Sequence, residues 1–174
     1  MGSPGRERAW VRAAQGGDVS SLEALFRHHW PVAYRAAYLV VHDAAAAEDI
    51  AQEAFLAAVR SLDRFDRRRP FGPWLHRIVV NRAIDWARMR ALRPEAGPDP
   101  LAGVAAPEHT SVSDDVLDAI RSLSPEHRAV IVLRHLLEYT PGEIGRLLDL
   151  PRGTVNSRLR RALDALADLL RDEP

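Results

Sequence analysis

Apolar residues recur every three or four positions along most of this chain, the spacing that places them on one face of an α-helix. N-cap and proline signals at Ser124-Pro125 and Thr140-Pro141 mark helix starts, and Glu143 completes a capping box with Thr140. No segment alternates polar and apolar residues as a half-buried strand does. The pattern predicts helices over about 19–41, 44–62, 71–92, 115–122, 125 onward, 141–148 and 152–170.

A stretch without apolar periodicity separates the predicted helices into two blocks. Residues 94–113 hold four prolines and two glycines, which favour an extended and mobile chain. We therefore predict an all-α protein of two small helical domains, at residues 1–93 and 115–174. A flexible acidic linker over 94–114 is predicted to join them.

Charge is distributed unevenly along a chain whose formal net charge is zero. All 24 basic residues are arginine, and ten of them fall within 60–93, against three acidic residues there. The segment 94–118 holds six acidic residues and no arginine. Such basic zones favour a polyanionic partner. The chain has no cysteine, which excludes a disulfide framework and a thiolate zinc site.

The second block has the pattern of a helix-turn-helix motif. A short helix over 141–148 precedes a tight turn and a longer helix. One face of the longer helix is predicted to pack on the short one, and it carries Val155, Leu159, Ala162, Leu163 and Leu166. In this motif the second helix enters the major groove, where arginine reads guanine and asparagine or serine adds shorter contacts. An arginine-rich solvated face on an ordinary helical hairpin is the alternative. The opposite face carries Asn156, Ser157, Arg160, Arg161 and, at its edge, Arg158.

Three segments resemble the signatures of one protein family. Residues 142–166 read GEIGRLLDLPRGTVNSRLRRALDAL, which is similar to region four of bacterial sigma factors of the extracytoplasmic-function (ECF) class, in the sigma-70 family. Two further segments resemble region two of that family: residues 44–66 read AAAAEDIAQEAFLAAVRSLDRFD, and residues 71–90 read FGPWLHRIVVNRAIDWARMR. The order of the regions matches, and the resemblance covers nearly the whole chain apart from the linker.

The resemblance implies an alternative sigma factor, which binds the RNA polymerase core and directs promoter-specific transcription initiation. Region four would meet the polymerase flap and read the minus-thirty-five element as duplex DNA, through Arg152, Thr154, Asn156, Ser157, Arg158, Arg160 and Arg161. Region two would bind the minus-ten element as a single strand, through Arg67, Arg68, Arg69, Arg77, Asn81 and Arg88. Docking on the coiled coil of the largest polymerase subunit would use Glu48, Asp49, Gln52 and Glu53.

Three residues depart from the family's usual pattern. Gly145 stands where alanine is usual, Asp149 where the turn usually has glycine, and Asn156 where lysine or arginine is usual. We expect the turn to be kept, because aspartate tolerates the left-handed backbone better than most residues. Asn156 removes a charge from the predicted DNA-facing surface, so the upstream sequence it reads is expected to differ.

Several residues near these sets are predicted to be structural. Trp74 is expected in the core, and Asp85 is expected to pair with Arg82 or Arg88. His28 and His29 are adjacent and project about 100° apart on a helix, so we predict that they share no metal ion. No metalloprotease, phosphate-loop or nucleophile-elbow motif occurs. We therefore predict no cofactor and no enzyme activity.

Partners and location follow from the resemblance and from the apolar pattern. The family implies an anti-sigma factor as a further partner and a monomer when free. The chain lacks an 18-residue apolar stretch, and its first ten residues carry no signal-peptide-like run, so we expect a cytoplasmic protein without membrane contact. Two alternatives stay open, a stand-alone helix-turn-helix regulator and a sigma-like adaptor that sequesters an anti-sigma factor. The first leaves the N-terminal block unexplained, and Arg160 and Arg161 argue against the second.

Overall fold

The structure is a computed structural model that describes residues 4–92 and 114–171. Within these ranges it contains helices and no strand, so the predicted all-α class with two helical domains is confirmed. Most of the predicted linker lies outside the described residues. The seven predicted helices are present and one more precedes them. The elements are α1 (Pro4–Gln15), α2 (Val19–Val41), α3 (Ala44–Ser61), α4 (Phe71–Ala91), α5 (Asp114–Ser122), α6 (Pro125–Ile131), α7 (Pro141–Leu148) and α8 (Arg152–Leu169).

Two short segments complete this helical framework. A 3₁₀ turn over Leu62–Arg64 follows α3, and a π-helical turn over Val132–Leu136 follows α6. None of the described helices combines the length and the apolar character that crossing a membrane requires.

Helix α1 is held by contacts with distant parts of the chain. Val11 is its one fully buried apolar side chain among residues 5–15, so its sequence pattern is weak. The Gln15 side-chain amide donates to the backbone carbonyls of Leu62 at 2.8 Å and Phe65 at 3.0 Å. Glu7 Oε1 accepts the Phe71 N–H at 2.9 Å, at the first residue of α4. Helix α1 therefore braces the segment between α3 and α4.

Helices α2, α3 and α4 form the core of the N-terminal domain. Alanines such as Ala36, Ala54 and Ala83 are fully buried where these helices meet, and their small side chains let the helices pack closely. Leu25 and Leu75 are also almost wholly buried and fill the space between the helices. This alanine-rich packing leaves the polar faces of α3 and α4 on the outside of the domain.

The predicted helix-start signals are confirmed by their hydrogen bonds. Thr140 and Glu143 form a reciprocal capping box, in which Glu143 Oε2 accepts the Thr140 N–H at 2.8 Å. Ser124 caps α6 through the His127 N–H. Asp43, which is buried, caps α3 through the Ala46 N–H at 2.9 Å. These caps satisfy backbone donors that have no partner inside their own helix.

The turn between α7 and α8 explains two departures from the family pattern. Asp149 adopts φ 55° and ψ 48°, the left-handed conformation that its position predicted. The Leu150 carbonyl oxygen then comes so close to Gly145 that a Cβ at residue 145 would lie 2.6 Å from it. Real Cβ atoms do not approach a backbone oxygen that closely, so this form of the turn requires glycine at 145.

The predicted packing face of α8 is correct except at Leu163. Val155 and Ala162 are fully buried and Leu159 is 8% exposed, whereas Leu163 is 46% exposed. The prediction for Leu163 is wrong because Ala162 occupies the inward position at this turn of the helix. Leu163 instead borders a shallow groove that also includes Leu39 of α2.

The two domains contact each other through polar pairs on α2, α4 and α6 and the segment before α7. The pairs are Arg88 Nε to Glu126 Oε1 at 2.7 Å, Arg128 Nη1 to His42 Nδ1 at 3.1 Å, and His76 Nδ1 with the Tyr139 hydroxyl at 2.7 Å.

Both histidines of these contacts are held neutral by their surroundings. Burial, followed by the nearby charge of Arg128, lowers the pKa of His42 to about 4. Burial, followed by His29, lowers the pKa of His76 to about 4. A neutral imidazole can accept the guanidinium hydrogen of Arg128, which a protonated ring cannot do.

Candidate nucleic-acid and protein interfaces

The outer face of α8 is a polar surface held in place by the buried apolar face. Asn156, Arg160 and Arg161 are exposed, and so is Arg152 at the start of the helix. The residue before α8 is Pro151, which provides no side-chain cap. The first backbone N–H groups of α8 are therefore free to meet an anion such as a phosphate.

Three residues of the predicted upstream set have a different environment. Thr154, Ser157 and Arg158 are half-buried. The Ser157 hydroxyl donates to the Thr154 carbonyl at 3.1 Å, so its hydrogen is engaged within the helix. Arg158 does not point to the same side as Arg161 but lines a cavity of about 150 Å³ between the two domains.

That cavity also contains two residues of the predicted minus-ten set, Asn81 and Arg88. Burial alone would raise the pKa of Glu126 in the cavity wall, but the hydrogen bond and charge of Arg88 and the charge of Arg158 outweigh it and lower the pKa. Arg158, predicted for the minus-thirty-five element, and Arg88, predicted for the minus-ten element, thus both lie near the Glu126 carboxylate. Arg88 also lies 3.8 Å from Asp85, so this predicted ion pair is present at long range.

A second group of minus-ten residues lies in the loop before α4. Arg67, Arg68 and Arg69 are all exposed. Asp66 shapes the loop, because its carboxylate accepts the Arg68 N–H at 3.0 Å and its carbonyl accepts the Arg69 N–H at 3.0 Å. The predicted minus-ten residues therefore fall into a loop group and an α4 group that includes the exposed Arg77.

The loop borders a concave site that the sequence pattern did not reveal. A cavity of about 290 Å³ is lined by Ser61, Arg64, Phe65, Asp66, Arg69 and Trp74. Trp74 packs on Phe65, with ring centroids 4.6 Å apart, but it is only half-buried. The prediction that Trp74 is a core residue is therefore half right, since part of the ring faces the cavity. An aromatic face between arginines is a suitable surface for an unstacked base.

The predicted docking residues form one exposed face of α3. Glu48, Asp49, Gln52 and Glu53 are all exposed, and Gln52 Nε2 donates to Glu48 Oε1 at 3.1 Å. Glu53 is paired with Arg82 of α4 at 2.7 Å, so it is partly engaged within the domain. Of the two partners predicted for Asp85, Arg82 pairs with Glu53 instead, and Arg88 lies near Asp85.

An apolar groove adjoins this acidic face between α2 and α3. Its volume is about 400 Å³. Leu56 is 54% exposed and Phe26 is 39% exposed within it, so large apolar side chains are exposed next to one another here. The groove shares Gln52 with the docking face, and its lining is Val19, Leu22, Glu23, Phe26, Gln52, Phe55, Leu56 and Val59.

Glu7 of α1 forms a cluster with His28 and His29 of α2. One ligand-type atom from each of the three residues lies within 4.8 Å of the others. Contact with the His29 ring outweighs burial and lowers the pKa of Glu7. The sequence pattern did not indicate this cluster, because Glu7 belongs to the unpredicted helix α1.

Comparison with known proteins identifies the class to which this fold and these surfaces belong. The family model for sigma-70 region 2 matches residues 25–93, and the model for sigma-70 region 4 matches residues 113–166. The chain is 33% identical to the ECF RNA polymerase sigma factor SigW of Bacillus subtilis, over 93% of this chain and 95% of the relative. It is 34% identical to SigM of Mycobacterium tuberculosis H37Rv, over 92% of this chain and 82% of the relative.

A solved structure agrees with these relatives. CnrH, solved in complex with the cytosolic domain of CnrY, has a TM-score of 0.71 and 26% identity, covering 97% of this chain and 99% of that one. The chain therefore belongs to the ECF class of the sigma-70 family. Its function is that of an alternative sigma factor in transcription initiation.

Proposed function

We propose that the two domains divide promoter recognition between the surfaces described above. Within residues 115–174, the exposed face of α8 reads duplex minus-thirty-five DNA, with Arg160 and Arg161 at base edges and Arg152 near a phosphate. Within residues 1–93, the loop arginines and α4 bind the minus-ten strand. The observation that supports this most directly is the separation of the two faces of α8: Val155 and Ala162 are fully buried, whereas Arg160 and Arg161 are exposed.

The cavity beside the arginine loop is proposed to hold one unstacked base of the minus-ten strand. Trp74 offers part of its ring for stacking, and Arg64 and Arg69 supply positive charge for the strand's phosphates. Asn81 on α4 has an amide that both donates and accepts hydrogen bonds, which suits a base edge. Because Asn81 and Arg88 face the C-terminal domain in this arrangement, binding of the strand to α4 requires the domains to move apart.

Polymerase docking is proposed to use the exposed acidic face of α3. Glu48, Asp49 and Gln52 are not engaged by any other element within the described residues, so they are available to a basic partner helix. An exposed carboxylate face gives such a helix electrostatic complementarity. The protein is thereby proposed to act without a catalytic site of its own, as a cytoplasmic partner of the polymerase core that is monomeric when free.

The docking proposal is tested with purified core polymerase from Bacillus subtilis or Mycobacterium tuberculosis and a library of randomised promoters. We expect the protein to direct initiation at a defined subset of sequences. Asp49→Arg should weaken core binding by on the order of tenfold or more, because it reverses a charge at the interface. Asp63→Arg is the matched control, since Asp63 is exposed but lies in the 3₁₀ turn after α3, roughly 20 Å from Asp49 at the rise of a helix. Equal core affinity for a folded Asp49→Arg protein would contradict the proposal.

An anti-sigma factor is proposed as a second partner, at the apolar groove between α2 and α3. The support is the exposed apolar lining of the groove, next to the docking face, together with the solved complex of CnrH with a domain of CnrY. A partner in this groove would compete with the polymerase for Gln52. In cells, Leu56→Glu should therefore raise transcription from target promoters by escape from inhibition. Lower or unchanged transcription would count against an inhibitor at this position.

A further inference from the structure

The cluster of Glu7, His28 and His29 contains a buried nitrogen without a hydrogen bond. His29 is only 7% exposed, and its Nε2 makes no hydrogen bond with any atom that the structure describes. Glu7 Oε2 lies 3.2 Å away, within ion-pair distance, but the contact does not meet the geometry of a hydrogen bond from a ring N–H. Leaving a polar nitrogen buried and unsatisfied is costly, and an ion between this nitrogen and the carboxylate would remove that cost.

The surroundings fix the orientation of the buried His29 ring and of the half-buried Glu7 carboxylate. Glu7 Oε1 accepts the Phe71 N–H at 2.9 Å, which directs Oε2 toward His29. Gly72, the next residue, leaves room for the imidazole: a Cβ there would lie 3.2 Å from His29 Cε1. Hydrogen bonds that hold a carboxylate from behind are a regular feature of metal sites, because they pre-orient the ligand.

His28 supplies a third nitrogen from the solvent side. Its ring meets the His29 ring edge-on at a centroid distance of 4.8 Å and lies 5.8 Å from the Trp10 ring of α1. The ligand atoms of the three residues lie within 4.8 Å of one another. Neighbouring ligands of a tetrahedral zinc ion are about 3.3–3.5 Å apart, given bonds of about 2.0–2.2 Å. The Glu7–His29 distance already fits, and a rotation of the exposed His28 side chain closes the remainder.

We propose that Glu7, His28 and His29 bind a divalent transition-metal ion, with Zn²⁺ as the best match. Two imidazole nitrogens and one carboxylate oxygen are ligands that Zn²⁺ accepts, and three protein ligands leave one position for water. The ion would cross-link α1 to α2, and the hydrogen bond of Glu7 with the Phe71 N–H would connect it to the start of α4. Residue 7 lies before the segment that the region 2 model matches, so this site is an addition to that segment.

The proposal differs from the sequence-based expectation about the adjacent histidines. Side chains that project about 100° apart on a straight helix do not converge on one ion by themselves. Here the third ligand comes from α1 and already lies 3.2 Å from His29 Nε2, so only the exposed His28 ring needs to turn. Neither DNA nor polymerase takes part, so this site stands or falls independently of the proposed promoter contacts.

The test uses the untagged full chain, because a histidine tag would bind zinc itself. Zn²⁺ binding is measured by competition with a chromophoric chelator at neutral pH, and thermal unfolding is followed with and without ZnCl₂. We expect one Zn²⁺ per chain and a higher Tm in its presence, because an ion that binds only the folded state stabilises it. His28→Gln and Glu7→Gln should each weaken binding by on the order of tenfold or more and abolish the Tm increase.

His135→Gln is the matched control, since His135 is exposed and lies in the C-terminal domain. It should bind Zn²⁺ as the unchanged protein does. His28→Gln alters an exposed side chain and is expected to fold, so its result is decisive even if Glu7→Gln is unstable. Absence of binding by the unchanged protein would overturn the proposal, and so would equal affinity in His28→Gln or an equal loss in His135→Gln.

Discussion

Arg88 of α4 donates its Nε hydrogen to Glu126 of α6 across 2.7 Å, and this ion pair joins the two helical domains. Arg88 is also one of the residues that we propose for the minus-ten strand. Its guanidinium cannot be fully engaged by Glu126 and by a phosphate at once, so the pair and the DNA compete. Arg158, predicted from the sequence for the upstream element, borders the same carboxylate.

Removing the Glu126 charge should free Arg88. We expect Glu126→Gln to bind a single-stranded minus-ten oligonucleotide about two- to fivefold more tightly, because partly exposed ion pairs are worth up to about 1 kcal/mol. Fluorescence anisotropy measures the change. In an Arg88→Ala background, Glu126→Gln should not change the affinity for the oligonucleotide. Tighter binding in that background would show that Glu126 does not act through Arg88. Glu53→Gln, which breaks the comparable pair with Arg82, is the control.

We expect alanine at position 145 to destabilise this protein, although alanine is the usual residue there in the family. Gly145→Ala places a Cβ 2.6 Å from the Leu150 carbonyl oxygen, and we expect a loss of about 1–3 kcal/mol in the free energy of unfolding. Gly142→Ala in the same helix meets no atom within 4 Å and should stabilise the protein by about 0.5–1 kcal/mol. Urea denaturation distinguishes the two. Equal stability of both variants would mean that the turn relaxes without cost.

The arginines of α8 should differ in what they contribute to upstream recognition. We expect Arg161→Ala to cost about 1–3 kcal/mol on the preferred element and to relax the preference at one base position. Arg152→Ala, which removes the arginine that we propose near a phosphate, should weaken binding to all sequences alike and lower the salt slope by about one. Selection from randomised upstream elements measures both, with Arg171→Ala, near the end of α8, as the control. Unchanged base preferences in Arg161→Ala would favour a merely solvated face.

Lowering the pH should reduce the free energy of unfolding before the carboxylates become protonated. The pKa of His42 falls from 6.5 to about 4 in the folded chain, so the unfolded chain binds more protons between these values. The contribution of neutral His42 to the free energy of unfolding is complete above pH 6.5. It is lost as the pH falls toward 4, at up to about 1.4 kcal/mol per pH unit. His76 acts in the same direction.

Urea midpoints between pH 7.5 and 5 test this dependence. His42→Gln removes one of the two titrating groups, so we expect a smaller loss of stability on acidification than in the unchanged protein. His135→Gln, in an exposed position, should leave the dependence as it is. An identical pH dependence in His42→Gln and the unchanged protein would exclude His42 as a source.

Short-range sequence patterns were sufficient to predict most of the helices. The spacing of apolar residues predicted α2 over 19–41, and the structure has Val19–Val41. The Thr140–Glu143 box predicted the start of α7, and Asp149 adopts the left-handed turn expected of it. These features depend on residues within one or two turns of one another, so the sequence determines them wherever the segment lies. The two family signatures likewise depend on contiguous residues.

Contacts between distant residues were decided only by the tertiary structure. Helix α1 has too few apolar residues to be predicted, and Gln15 and Glu7 hold it through residues 47 to 64 positions away. Periodicity gave the outward face of α4, but it could not show that α6, α7 and α8 would lie opposite Asn81 and Arg88. The pairing of Arg88 with Glu126 and the meeting of Glu7 with His29 depend on how whole helices pack. A periodic pattern states which side of a helix is apolar, whereas the packing of the other helices decides what lies against its polar side.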